Sequence, residues 1–343
     1  MSRPSSQLSP ILSVRHLKVY FRPRNILPWQ RKGQIRAVDD LHLDLRAGET
    51  LGIVGESGCG KSSLARALIG LETPTSGSIR YAGRELANLS KKDWRPLRRE
   101  LQMVFQDPLA SLNPKMTIGQ IVAEPLRELC PEIPASEHAQ RVAAMLERVG
   151  LSRDIVDRHP HEFSGGQAQR IGIARALIVK PKVLICDEAV SALDVSVRAQ
   201  IVNLLVELRQ EYGLTLIFIA HDLAIVRYLC DRVLVMYLGR VMEQAGAADL
   251  FGTPKHPYTR ALMAAAPAGA NAAPAAEADG KKKNRRKPPG GEMPSPAHPP
   301  MGCVFHTRCP LMESACVASV PSLRRVGPEH YAACHFVAAP DNS

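Results

Sequence analysis

Gly55-Glu56-Ser57-Gly58-Cys59-Gly60-Lys61-Ser62 fits the pattern G-x-x-x-x-G-K-[ST] at every fixed position. Residues of these types at this spacing hold phosphate. Glycines let backbone N–H groups approach phosphate oxygens where side chains would block them. Lys61 is placed to reach β- and γ-phosphates, and the Ser62 hydroxyl to reach Mg²⁺. Ser63 follows at the start of the expected helix and is counted with the cradle, as is Cys59, a small loop residue with no chemistry of its own. A second group lies at Asp187-Glu188, after the apolar run Val183-Leu184-Ile185-Cys186. A buried strand holds acids only at its solvent-facing end. Asp187 is therefore expected to act on Mg²⁺ and Glu188 to polarise an attacking water. Alone, such a pair is an ordinary loop acid; the phosphate cradle upstream makes it catalytic. A third group is Ser164-Gly165-Gly166-Gln167, where Ser164 is a natural N-cap and the glycines leave a helix start open to an anion.

These residues need particular elements beneath them. Thr50-Leu51-Gly52-Ile53-Val54 reads as a buried strand feeding the cradle, and residues 63–69 as the helix leaving it. Val142, Met145, Leu146 and Val149 share one helical face, as do Ile201, Leu204, Leu205 and Leu208, with Gly213 as a stop. Residues 214–220 read as a strand. Alternation of this kind predicts an α/β fold with a mainly parallel sheet.

Ser-Gly-Gly-Gln just upstream of an apolar strand ending in Asp-Glu, with a phosphate cradle before both, resembles the nucleotide-binding subunit of an ATP-binding-cassette (ABC) transporter. The resemblance implies a P-loop ABC ATPase domain with a RecA-like core, an antiparallel β subdomain and a helical subdomain. It implies ATP and Mg²⁺ as cofactors. It also implies head-to-tail pairing, in which residues 164–167 cover the γ-phosphate held by the opposite subunit. Gln106 then matches the glutamine at Mg²⁺ and the attacking water, near where the membrane partner is sensed. Ser191-Ala192-Leu193-Asp194 matches the loop crossing the dimer interface, and His221 the γ-phosphate histidine. An aromatic upstream is expected on adenine; Tyr20 and Phe21 face opposite ways on a strand, and Phe21 is favoured. The family's usual leucine before Ser164 is Phe163 here, as in the peptide-transporter branch.

Residues 105–114 and 253–262 resemble the peptide/nickel importer branch. That implies peptide import powered at the cytoplasmic face of the membrane, with a sister ATPase subunit, two permease subunits and, indirectly, a solute-binding protein. A soluble ABC ATPase acting on nucleic acid or ribosomes is the alternative. It is disfavoured because one cassette is present and residues 106–163 lack a coiled-coil pattern.

The chain has 343 residues and a formal net charge of +11, unevenly spread. Residues 1–36 carry eight basic side chains and no acid, and residues 281–343 nine basic against four acidic, so the body between is slightly negative. That body is not a nucleic-acid module, and no nucleic-acid partner is expected; the basic ends suit anionic lipid, a partner or plain solvation. No apolar run approaches the ~18–20 residues of a membrane span. No secretory signal is visible at the start, so a cytosolic chain is expected.

The ATPase domain is expected over residues 11–266, with its helical part at about 107–180. The Ala/Pro/Lys-rich stretch 267–300, with a basic run at 281–287, reads as a flexible linker. Residues 301–336 form a small extension holding Cys303, Cys309, Cys316 and Cys334. Four thiolates suit Zn²⁺ or an iron–sulfur cluster, with His306 and His335 as alternates. The spacing resembles the tail of peptide-transporter ATPases, which implies a [4Fe–4S] cluster ahead of zinc. Because a linker precedes it, the tail is expected to be removable before Pro300 without loss of nucleotide binding.

Overall fold

The computed structural model describes residues 9–22, 33–265 and 292–337. The basic run at 281–287 and most of the loop at 22–34 lie outside them. The chain divides into two compact units, one built from Arg46–Thr50 and Asn88–Ala220, the other from Ile11–Leu45, Leu51–Ala87 and the chain from His221 onward.

The first unit contains three adjacent parallel strands. Leu101–Val104 pairs with Val183–Asp187, which pairs in turn with Thr215–Ile219. Every residue of the last two strands is buried, as continuous apolar runs in a parallel sheet require. The helices read from spacing are present. Ala135–Arg148 buries Val142, Met145 and Leu146. Val195–Tyr212 buries Ile201, Leu204, Leu205 and Leu208 and ends at Gly213, in the left-handed region at φ 62°. The helix Gly165–Leu177 begins at Ser164, and the helices Ile118–Leu129 and Lys91–Glu100 carry capping side chains at Thr117 and Ser90.

The second unit has an antiparallel sheet in the order Ile35–Leu45, Leu12–Phe21, Ser76–Tyr81, Arg84–Glu85. Bulges in its first pair place His16 (φ 49°) and Asp40 (φ 61°) in left-handed conformations, where their exposed side chains hydrogen-bond at 2.8 Å. The strand Thr50–Val54 runs parallel to Arg232–Tyr237, which pairs antiparallel with Arg240–Gly246. The cysteine extension continues this sheet. His330–Ala332 pairs with Arg240–Gly246, and Arg324–Gly327 pairs with His330–Ala332.

The extension is therefore docked on its unit, while most of the stretch 267–300 expected as a linker lies outside the described residues. Glu243 anchors it: its carboxylate accepts from His330 Nε2 (2.6 Å) and from the backbone of Lys255 and His256, although it is fully buried. The segment before it also makes contact, since the Pro296 carbonyl accepts from the Arg36 N–H at 3.1 Å.

Candidate active site

The phosphate cradle lies in the second unit. The strand Thr50–Val54 is wholly buried and delivers the chain into the turn, and the helix Lys61–Leu68 leaves it. Gly60 sits at φ 107°, and a Cβ there would stand 1.8 Å from the Ala37 carbonyl oxygen. Gly55 is similarly confined, 2.3 Å from the Met236 oxygen. No other residue fits these two positions. Ser57 and Gly58 are exposed, and Ser62 and Ser63 are half-buried at the helix start.

Lys61 has little solvent exposure, and its Nζ donates to the carbonyls of Gly55 (2.9 Å) and Glu56 (3.0 Å) and approaches the Cys59 sulfur at 3.7 Å. No carboxylate pairs with it among the described residues. A buried ammonium with only neutral partners is costly unless an anion completes the site. The cradle therefore fits a polyphosphate. Cys59 is inert: burial first, against the nearby Lys61, raises its thiol pKa.

Glu56 is held by three groups. Its N–H donates to the Tyr258 hydroxyl (3.0 Å), its carbonyl accepts from Lys61, and its carboxylate accepts from Arg308 at 2.8 and 3.1 Å. Neither Tyr258 nor Arg308 was singled out from the sequence. They lie 202 and 252 residues away along the chain. The H-T-R-C-P run around Arg308 is the available signal, read above only for Cys309 and for His306 as an alternate ligand.

The carboxylates lie in the first unit. Asp187 ends the buried strand and is itself 2% exposed. Glu188 follows at φ 47°, a strained conformation for a residue with a side chain. It is fixed by its own N–H to the Ile219 carbonyl (3.0 Å) and by Ser191, whose N–H and hydroxyl both donate to the Glu188 carbonyl. Gln106 Nε2 donates to Glu188 Oε2 at 2.8 Å. The glutamine and the candidate base are thus neighbours.

Ser164 caps its helix through a reciprocal pair. Its hydroxyl accepts from the Gln167 N–H (3.3 Å), and its own N–H donates to Gln167 Oε1 (3.1 Å). Ser164, Gly165 and Gln167 are exposed. A Cβ on Gly166 would stand 2.5 Å from Val197 Cγ1. Val197 belongs to the helix capped by Asp194, whose carboxylate accepts from the Val197 N–H (2.9 Å) and the Ser196 hydroxyl (2.8 Å). These bonds, the backbone one first, hold the Asp194 carboxyl below the usual range. Residues 164–167 and Asp194 therefore form one exposed surface of this unit.

His221 is exposed in the second unit and precedes the helix capped by Asp222. Of the two aromatics, Tyr20 is committed: its hydroxyl bonds Asp39, which also pairs with Arg240 at 2.6 Å. Phe21 is half-exposed at the strand end.

In the tail, Cys303, Cys316 and Cys334 are buried and Cys309 is half-buried, all as free thiols. Burial first, then the neighbouring thiols of Cys316, Cys309 and Cys334, push Cys303 up to about 11. No three of these four thiols have ligand atoms all within 4.8 Å of one another. His306 Nδ1 and His335 Nε2 bond the carbonyls of Cys303 (2.8 Å) and Ser319 (3.0 Å), so both rings are engaged.

Residues 38–191 match the ABC transporter family, and residues 242–316 match the oligopeptide/dipeptide transporter C-terminal region. The oligopeptide transport ATP-binding protein OppF of Escherichia coli is 52% identical over 315 residues, 91% of this chain and 92% of OppF. AppF of Bacillus subtilis is 48% identical over 95% of this chain and 97% of AppF. Among solved structures, CbiO1 of Clostridium perfringens, part of the ABC transporter complex CbiONQ, aligns with a TM-score of 0.61 at 32% identity, covering 72% of this chain and 92% of CbiO1. The dimeric ATP-binding cassette MJ0796, in a post-hydrolysis state with ADP and Pi, aligns at a TM-score of 0.62 and 26% identity, covering 69% and 98%. The chain belongs to the ABC transporter family, in its branch of oligopeptide transport ATP-binding proteins.

Proposed function

We propose that this protein is the ATPase that powers import of di- or oligopeptides, working from the cytoplasmic face of the membrane. The observation that carries the enzymatic part is Glu188: a carboxylate at the mouth of a buried strand, fixed by backbone bonds and held 2.8 Å from Gln106. Lys61 binds the β- and γ-phosphates, and the backbone N–H groups of residues 57–62 surround them. Ser62, Asp187 and Gln106 would hold Mg²⁺, which when bound neutralises charge on the β- and γ-oxygens. Glu188 orients and deprotonates the attacking water, and His221 contacts the γ-phosphate. Phe21 stacks on the base.

The exposed helix start at Ser164–Gln167, beside Asp194, supports a site completed by a second cassette, and a sister subunit is the proposed partner. No helix among the described residues is long and apolar enough to cross a membrane. The oligopeptide transport names of the relatives support permease subunits as partners, with the solute chosen by them and a binding protein. Transport names among the relatives support peptides; nothing in the comparisons supports action on nucleic acid. The test is dilution. Specific ATPase activity should fall as the isolated chain is diluted and rise on adding the sister and permease subunits. Full activity independent of concentration would refute the shared site.

We propose further that the four tail thiols hold a [4Fe–4S] cluster. A tetrahedral Zn–S₄ site with ~2.3 Å bonds brings sulfurs to within about 4 Å of one another. Protein purified without oxygen should be brown with a broad band near ~400 nm. Colourless protein with one zinc, or with four freely alkylated thiols, would refute it.

A further inference from the structure

Residues 303–309 form a short connector with a thiol at each end. Between them lie Phe305, fully buried, and the 3-10 turn His306–Arg308. Phe305 packs against Tyr237, Tyr258 and His256, with ring centroids 5.4, 5.2 and 5.9 Å away. Tyr258 is the residue whose hydroxyl accepts from the Glu56 N–H. Arg308 has a side chain only 8% exposed; it bonds the Glu56 carboxylate, donates to the Tyr237 hydroxyl at 3.3 Å and lies 5.8 Å over that ring. The connector therefore reaches the phosphate loop by two routes, one ionic through Arg308 and one through the aromatic stack to Tyr258. Both end on Glu56, whose carbonyl accepts from Lys61.

We propose that Arg308 is a positioning residue for the phosphate loop, and that through it the cysteine tail and the nucleotide are linked, each stabilising the other. The proposal rests on Gly55–Ser62 being the nucleotide cradle. It does not depend on which metal the thiols hold, because the contacts it uses are those of Phe305 and Arg308. Coupling between sites is reciprocal. If an ordered connector fixes Glu56 for phosphate binding, then bound phosphate must hold the connector, and with it the four thiols, more firmly closed. Glu56 stands at a variable position of the cradle pattern, so this link is additional to the cradle's own chemistry.

The test uses the full chain with Mg·ADP as ligand, and two readouts. Calorimetry gives the dissociation constant. Hydrogen–deuterium exchange, read by mass spectrometry, gives the labelling rate of the backbone amides of residues 303–316, whether or not the four thiols hold a metal. In the wild-type chain Mg·ADP should slow that labelling. Arg308→Ala should weaken Mg·ADP on the order of tenfold, the size expected for a lost bond to a charged group, and should abolish the protection. Arg308→Lys should restore part of both, by keeping the charge.

Should Arg308→Ala unfold the tail outright, Glu56→Gln reads the same link from the loop side. It leaves the connector's own residues intact, and the backbone amides of residues 303–316 should label faster than wild type without nucleotide. Unchanged affinity in Arg308→Ala, protection that survives it, or unchanged labelling in Glu56→Gln would each overturn the proposal. A wild-type chain that does not bind Mg·ADP at all would instead refute the cradle.

Discussion

Replacing Glu188 by glutamine isolates one proton-accepting group. The side chain keeps its length and shape, and the amide oxygen can still accept from Gln106 Nε2, now 2.8 Å from the carboxylate. The backbone anchors on Ile219 and Ser191 do not involve the side chain, so the strained φ of 47° is unaffected. Nucleotide affinity, set by the cradle in the other unit, should stay within about twofold. What is lost is the base, and positioned general bases contribute about 10²–10⁴ in rate. That is about 3–5 kcal/mol of transition-state stabilisation. The assay is single-turnover hydrolysis of radiolabelled ATP by the assembled transporter, with binding measured separately. A fall of at least about 10² at unchanged affinity is expected. Wild-type turnover in Glu188→Gln would show that Glu188 is not the base. Equal losses in affinity and turnover would show that it acts in binding.

Gly60→Ala should abolish nucleotide binding, since its Cβ would lie 1.8 Å from the Ala37 oxygen; equilibrium dialysis with ATP checks it. Gly166→Leu should displace the Ser164 helix start from Val197, only 2.5 Å from a Cβ there, and should reduce hydrolysis in the assembled complex while sparing ATP binding by the lone chain. His256 is fully buried, accepts from the Tyr258 N–H at 3.0 Å, and is pushed down to about 4 from 6.5, by burial first. Because the unfolded chain takes that proton earlier, stability is full above pH 6.5 and is lost as pH falls toward 4, by on the order of 3 kcal/mol. His256→Asn, whose amide oxygen can replace Nδ1, should flatten the fall in Tm between pH 6.5 and 5 relative to wild type; an unchanged slope would remove His256 as its source.

Much of this molecule is legible locally. The cradle, the strand ending at Asp187, the Ser164 cap and the buried faces of two helices follow from spacing within about twenty residues, where helix and strand periodicities act. What spacing does not carry is long-range. Nothing near Glu56 announces Tyr258 or Arg308, because those contacts form only when distant chain segments pack together. The pairing of His330–Ala332 with Arg240–Gly246 was hidden for a different reason. A three-residue strand is too short to show alternation, and the buried Glu243 that receives it looks like a surface acid until His330 and two backbone N–H groups surround it. Composition was silent on the docking of the extension, which pairs its strand with Arg240–Gly246. The left-handed Glu188 was equally invisible, since backbone strain at a functional position runs against local preference.

The central claim is that hydrolysis at this cassette drives peptide movement. Its most direct measurement is uptake of a labelled oligopeptide into proteoliposomes holding the permease pair, the sister ATPase and this chain, with the binding protein and peptide outside and ATP within. Uptake that requires ATP, and that Glu188→Gln in this chain reduces by at least about tenfold, is expected. ATP hydrolysis that proceeds with no peptide accumulation, or uptake unaffected by Glu188→Gln, would contradict the account.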